Sequence, residues 1–144
     1  MEQVISPYIL AIIAAWVLAH IIKYGIAWLK GKQLDLTHQL FISGGMPSSH
    51  AATSVAVWTV VLLKEGYRSA IFGLATLVVL IVCYDAVKVR RSVGEQGNAI
   101  QEIIKKTNIK VNVPRSAQGH TPLEVIAGSL LGCVIGVLVF VFTK

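Results

Sequence analysis

The hydrophobic residues of this chain gather in four blocks, which cover residues 5–22, 51–63, 70–84 and 125–142. The first and last blocks hold about 18 residues each and would rise about 27 Å as helices, close to the roughly 30 Å of a bilayer's hydrocarbon core. The two inner blocks reach this length when their semi-polar ends are included. The pattern therefore predicts an all-α integral membrane protein of one domain, with four transmembrane helices over residues 5–22, 48–64, 69–87 and 121–142.

A fifth helix of a different kind is predicted after the third block, over residues 89–106. Val89, Val93, Ile100 and Ile103 recur there at helical spacing, with charged residues between them. This arrangement is typical of an amphipathic helix that lies on a bilayer surface.

Charge predicts how the helices are oriented. Ten of the 13 basic residues fall in the connections 23–49 and 88–119, which share one membrane face. The positive-inside rule makes this the cytoplasmic face of a multi-pass protein of the cell membrane, plasma or inner. The net charge of +6 suits anionic lipid headgroups. Nucleic acid is not expected as a partner, because no soluble module presents the basic residues.

The two cysteines give no sign of redox or metal chemistry. Cys83 and Cys133 lie inside apolar blocks, and no Cys-x-x-Cys spacing exists. In that setting cysteine behaves as a small buried hydrophobic residue. We expect neither a metal nor another cofactor.

Two histidines stand where apolar blocks begin, His50 at the second block and His120 at the fourth. An even number of predicted crossings separates them, so both face the same side of the membrane. Imidazole exchanges protons and attacks electrophiles near neutral pH, while the free N–H groups of a helix N-terminus favour anions. The pair predicts a phosphate site at a membrane surface. His20 and His38 are interpreted as ordinary interfacial residues.

The segments around these histidines resemble motifs of a known superfamily. Pro47-Ser48-Ser49-His50 resembles the Pro-Ser-Gly-His signature of the type 2 phosphatidic acid phosphatase and vanadium haloperoxidase superfamily. His120 with Glu124 resembles its last motif, in which a histidine precedes an aspartate by four residues. Together with Tyr84-Asp85-Ala86 and Gly119-His120-Thr121-Pro122-Leu123, these motifs make the chain similar, end to end, to the divergent small branch of that superfamily.

The resemblance implies a metal-independent phosphohydrolase that acts on a lipid phosphate or lipid pyrophosphate through a phosphohistidine intermediate. His120 would be the nucleophile and His50 the general acid, with Glu124 fixing the tautomer of His120. Ser48 and Ser49, with the N–H groups that open their helix, would contact the phosphoryl oxygens.

Several basic residues are candidates for the cations of the site. The superfamily's first motif, a lysine seven residues before an Arg-Pro pair, has no match in this chain. Arg90 and Arg91, with Lys88 behind them, are the candidates to replace it, and Arg115 matches approximately an arginine that precedes the superfamily's final histidine. Asp85 either pairs with Lys88 one turn later or orients Arg90 or Arg91.

Plain structural interpretations stand beside several of these roles. Thr121-Pro122-Leu123-Glu124 is also a capping box, in which Glu124 bonds back to the cap. Ser48 or Ser49 is equally suited to be an N-cap. Gly128, Gly132 and Gly136 form a stripe for close helix packing, within the chain or in a homodimer.

Two other functions are compatible with the pattern. One is a lipid-phosphate binder or translocator that keeps an anion cradle but has no turnover, and the missing first motif favours it. The other is a structural membrane protein in which the histidines are incidental.

Overall fold

The computed structural model describes residues 5–31, 45–107, 111–112 and 119–144, most of which are helical and none of which forms a strand. In chain order they form α1 (Pro7–Leu29), α2 (Ser49–Glu65), α3 (Ala70–Tyr84), a π-helical segment (Asp85–Val89), α4 (Arg90–Thr107) and α5 (Pro122–Phe142). The predicted all-α class is confirmed for these residues.

Side-chain caps begin three of the helices where the sequence offers Ser or Thr. The Oγ of Ser48 accepts from the N–H of Ala51 at α2, and that of Ser69 accepts from the N–H of Phe72 at α3. Thr121 opens α5 within a complete capping box. Each cap satisfies a helix N–H that has no partner inside the helix. Gly66, whose φ is 80°, turns the chain between α2 and α3.

Three helices of the described part are long and apolar enough to cross a membrane: α1, the continuous helix Ala70–Thr107, and α5. The fourth predicted crossing, α2, has 17 residues and is the most polar of the four predicted spans. Its polar character suits its position, because α1, α3 and α5 all pack against it. One such contact is the indole N–H of Trp58, which donates to Thr76 on α3 at 2.9 Å. Four crossings thus remain a prediction.

The first predicted helix, residues 5–22, continues in the structure as far as Leu29. Lys23 ended the apolar block, but lysine is a good helix former, and the helix runs through it. This extension matters because it carries Lys23 to the end of the bundle where the predicted histidine site lies.

The predicted third crossing and the predicted surface helix are parts of one helix. α3, the π-helical segment and α4 run without a break over the 38 residues Ala70–Thr107, about 57 Å at 1.5 Å per residue. The amphipathic pattern marked α4 correctly as helical, but no turn separates it from α3. The π-helical segment takes the place of the expected break.

Small residues bring α2 into close contact with both α1 and α5. Ala11, Ala15 and Ala19 of α1 are fully buried in a cluster that includes Ala52 and Ala56 of α2. Without bulky side chains between them, the backbones of such helices approach closely and gain van der Waals contact. The core therefore sits around α2, and large apolar side chains cover the outer faces of the other helices.

The glycine stripe of α5 is used within the chain. Gly128, Gly132 and Gly136 are buried, and a Cβ at Gly132 would lie 2.4 Å from the carbonyl oxygen of Ala52. At Gly136 a Cβ would lie 2.5 Å from the Cβ of Thr59. A second copy of the chain is thus not needed to fill this stripe.

Replacing Gly132 by Val should separate α2 from α5 and lower the free energy of unfolding by about 2 kcal/mol or more, since the added atoms overlap backbone. Thermal unfolding of the purified protein in detergent measures this loss. Gly73→Val is the matched control, because a Cβ at Gly73 meets nothing within 4 Å. Equal melting temperatures for the two variants would contradict the close α2–α5 contact.

Candidate phosphate site at the helix ends

Four parts of the chain meet at one end of the bundle. They are the C-terminal half of α1 with Lys23, the start of α2 with Ser49 and His50, the π-helical segment with the start of α4, and the segment Gly119–Glu124. The charges of Lys23 and Arg90 act on both His50 and His120, and the charge of His120 also acts on His50. The structure thus brings both predicted histidines to one site.

His120 is buried, with 2% of its surface exposed. Its Nδ1 lies 3.2 Å from Oε2 of Glu124, which as a carboxylate only accepts and so holds the proton on Nδ1. Its Nε2 is the one buried side-chain nitrogen or oxygen without a hydrogen-bond partner in the described part of the chain. An unprotonated Nε2 with no partner presents a free lone pair.

The surroundings of His120 favour its neutral form. Burial lowers the pKa of the imidazole, and the positive charges of Lys23 and Arg90 lower the pKa further. The hydrogen bond and the charge of Glu124 raise the pKa and offset part of this effect. The balance is a lowered pKa, so His120 is neutral at neutral pH.

Glu124 combines the two roles between which the sequence could not decide. Its Oε2 accepts from the backbone N–H of Thr121 at 2.9 Å, and the hydroxyl oxygen of Thr121 accepts from the N–H of Glu124 at 3.4 Å. The same Oε2 holds Nδ1 of His120. One carboxylate oxygen therefore caps α5 and orients the histidine.

The π-helical segment holds the backbone of His120. The N–H of Arg90 donates to the carbonyl of Asp85, five residues back, while the carbonyl of Ala86 accepts from the N–H of His120 at 3.0 Å. Next to it, a Cβ on Gly119 would lie 2.3 Å from the backbone nitrogen of Arg91. Segments of this kind are common at functional sites, but hydrophobic periodicity gave no sign of this one.

Lys23 is a cation of the site that sequence reasoning missed. Its Nζ lies 3.5 Å from the hydroxyl of Ser49, and its charge also acts on Glu124. In the sequence Lys23 counted only as one basic residue of a connection. Its position at the end of a long apolar run was the signal that the sequence offered. That signal indicates a place in the site only once α1 is known to continue to Leu29.

Of the predicted cations, the structure brings Arg90 to the site. Arg90 is half-buried, and its Nε donates to Oδ2 of Asp85 at 2.5 Å, so Asp85 orients Arg90 instead of pairing with Lys88. Arg91 is exposed and pairs with Glu95 at 3.1 Å, and Lys88 is exposed. Arg115 lies outside the described residues.

The start of α2 supplies the remaining predicted groups. Ser48 is fully buried, and its N–H donates to the carbonyl of Glu124 at 3.0 Å, which ties α2 to α5. Ser49 is buried beside Lys23, while His50 is exposed at the edge of the site. Ser48 is thus the N-cap of α2, and Ser49 is the serine that lies next to a cation.

No group of three or more His, Cys, Asp or Glu side chains is placed to hold a metal ion within the described ranges. The site instead joins two imidazoles, two carboxylates and two cations at the start of α2. This set can bind a tetrahedral anion and can move a proton.

Comparison with known proteins places the chain in a family. It is 32% identical, over 157 aligned positions, to the uncharacterized membrane protein YuiD of Bacillus subtilis (strain 168), and the alignment covers 99% of each protein. No solved structure matches. The three apolar helices and this relative indicate a multi-pass membrane protein. The Divergent PAP2 family is matched over residues 5–135, and the chain belongs to this family.

Proposed function

We propose that this protein is a membrane phosphohydrolase that removes the terminal phosphate of a lipid phosphate or lipid pyrophosphate through a phosphohistidine intermediate. The observation that carries the proposal is the state of His120, whose buried Nε2 has no partner while Glu124 holds Nδ1. A structural histidine in an apolar setting normally has its ring nitrogens satisfied. A free lone pair beside two cations suits attack on phosphorus.

In the first step, Nε2 of His120 forms a bond to phosphorus as the bond from phosphorus to the lipid oxygen breaks. His50 gives its proton to that leaving oxygen. In the second step, water attacks the phosphohistidine, His50 takes a proton from the water, and the bond between Nε2 and phosphorus breaks. Inorganic phosphate leaves, and both histidines return to their starting states.

The cations stabilise the charge that spreads over the phosphoryl oxygens. Lys23 and Arg90 come from different helices and can approach these oxygens from two sides. Asp85 keeps the Arg90 side chain in one orientation, which reduces the entropy lost on binding. The hydroxyl of Ser49 and the first free N–H groups of α2 supply neutral donors.

The substrate is a lipid because the site lies at the ends of apolar helices, where a headgroup meets water. The distribution of basic residues supports a cytoplasmic site in the cell membrane. This orientation gives the enzyme access to phosphorylated lipids of the inner leaflet.

The proposal is tested by measuring phosphate release from phosphatidic acid and from a prenyl pyrophosphate, by the purified protein in mixed micelles. We expect release without added metal and inhibition by vanadate, which mimics the phosphoryl group in transfer. Headgroup binding without release of phosphate would instead identify a non-catalytic binder or translocator. If the protein neither binds the headgroup nor releases phosphate, the remaining interpretation is a structural membrane protein.

The lowered pKa of His120 gives a separate prediction. The histidine resonances of the free protein, followed by NMR as the pH falls, should show His120 becoming protonated below the ordinary histidine value of about 6.5. Its neutral, nucleophilic form is therefore retained as the pH drops through that value and is lost only at lower pH. Glu124→Gln should move the pKa lower still, because the carboxylate that raises it is gone. A wild-type value at or above 6.5 contradicts the burial of the imidazole.

A further inference from the structure

A cavity of about 630 Å³ lies on α2 in the space between α1 and α3. His50 and Val82 line one end of it, and Tyr8, Val61 and Ile71 line the other. We call this cavity the α2 groove. It leads from the candidate phosphate site toward the opposite end of the helices.

The walls of the α2 groove are almost entirely apolar. Ile12 and Leu74 line it from the two flanking helices and are themselves partly exposed. The hydroxyls of Thr53 and Ser54 also line it, but each donates to a backbone carbonyl of α2, at 3.0 Å and 2.9 Å. A hydrocarbon occupant therefore leaves no polar group of these side chains without a partner.

The length of the groove suits one lipid tail. From His50 to Val61, α2 rises about 16 Å, close to half of the roughly 30 Å hydrocarbon core and thus to one leaflet. At the far end, the hydroxyl of Tyr8 donates to the carboxylate of Glu65 on α2. This bond joins the start of α1 to the end of α2 and holds the Tyr8 ring at that end of the groove.

We propose that the α2 groove binds one hydrocarbon tail of the phosphate-bearing lipid, and that Tyr8, held by Glu65, sets the longest tail that fits. The inference rests on the proposed function for the placing of the headgroup. His50 is common to the groove and to the candidate phosphate site, so one end of the groove lies beside the proposed proton donor. The exposed rims on α1 and α3 let the tail enter sideways from the bilayer.

Because the tail comes from an apolar phase, the groove selects by fit and not by hydrophobic transfer. Ala75→Trp places a bulky ring in the groove, whereas Leu80→Trp, on the same helix, adds its ring on a face exposed outside the groove. With hexadecyl phosphate, Ala75→Trp should raise KM about tenfold, the range expected from overpacking. It should leave the hydrolysis of para-nitrophenyl phosphate, which has no tail, near the wild-type rate, and Leu80→Trp should resemble the wild type with both substrates.

The role of Tyr8 is tested with a series of alkyl phosphates from decyl to docosyl. Tyr8→Ala should shift the preferred tail to a longer one, since the closing ring is gone. Tyr8→Phe keeps the ring but loses the bond to Glu65 that holds it, so it should shift the preference in the same direction as Tyr8→Ala and by less. Glu65→Gln retains an acceptor for the Tyr8 hydroxyl and should behave as the wild type. A wild-type length preference in both Tyr8 variants would overturn the role of Tyr8.

The two proposals fail in different ways. The groove proposal fails if all substrates are hydrolysed and Ala75→Trp and Tyr8→Ala leave the dependence on tail length unchanged. Failure of the phosphohydrolase appears as no release from any substrate, para-nitrophenyl phosphate included. The groove is then judged by equilibrium binding of the alkyl phosphates in micelles, where the same variants must weaken or shift the length preference.

Discussion

Replacing His120 by Asn is expected to lower phosphate release by about 10⁴-fold or more, because removal of a catalytic nucleophile leaves only binding and electrostatic stabilisation. The asparagine side chain is polar and smaller than imidazole, so the helix start at Thr121 and Pro122 should be retained. The measurement is single-turnover hydrolysis of a phosphorus-labelled lipid phosphate, quenched and examined for protein-bound label. The wild type should carry an acid-labile label, and His120→Asn should carry none.

His50→Asn is the informative companion variant. It lacks the proton donor but keeps the nucleophile, so a substrate with a good leaving group should still label His120, and the label should decay slowly. The two histidine variants thus separate attack from proton transfer. Labelled protein from His120→Asn, or full release of phosphate by it, would refute the assignment of the nucleophile.

The second large effect is expected on removal of the positive charge of Lys23, the cation that sequence analysis missed. Lys23→Met keeps the length of the side chain and removes its charge, and we expect kcat to fall about 10²-fold to 10³-fold, as for the loss of one preorganised transition-state donor. Steady-state hydrolysis of the same lipid phosphate, with kcat and KM determined separately, measures this loss. The fall should lie mainly in kcat, because the charge on the phosphoryl oxygens is greatest in transfer.

Lys30→Met provides the matched control for Lys23→Met. Lys30 is the exposed C-cap of the same helix, so its removal changes the net charge of the protein equally. A similar loss of kcat in both variants would mean that the overall positive field attracts the substrate. A loss confined to Lys23→Met would assign the effect to its position beside Ser49 and His120.

Features that depend on short stretches of chain were predictable from the sequence. The capping box at Thr121 and Glu124 lies within one helical turn, and the helix starts near His50 and His120 follow directly from Ser, Thr and Pro at fixed offsets. The glycine spacing on α5 likewise predicted a close contact with another helix. Its partner, α2, was not identifiable from periodicity alone.

Features that depend on how the helices pack were not predictable. Arg90 and Arg91 are neighbours in sequence, yet about 100° separates their directions on a helix, and only packing decides which one meets the histidines. The position of Lys23 in the site depends on the continuation of α1 beyond its apolar block, as far as Leu29. The carbonyl of Ala86 in the π-helical segment accepts from the N–H of His120, and a contact between such distant parts of the chain is not encoded in the periodicity of one helix.

The backbone bond from the N–H of Ser48 to the carbonyl of Glu124 has a consequence for how the signature before His50 varies. The bond uses main-chain atoms only, so side chains at either position can change without releasing it, with proline at position 48 the exception. It fixes the distance between the start of α2, which carries the proposed proton donor His50, and the start of α5, which follows the proposed nucleophile His120. The serine at position 49, where the superfamily signature has glycine, therefore alters the chemistry that lines the site and leaves the separation of the two helix starts intact.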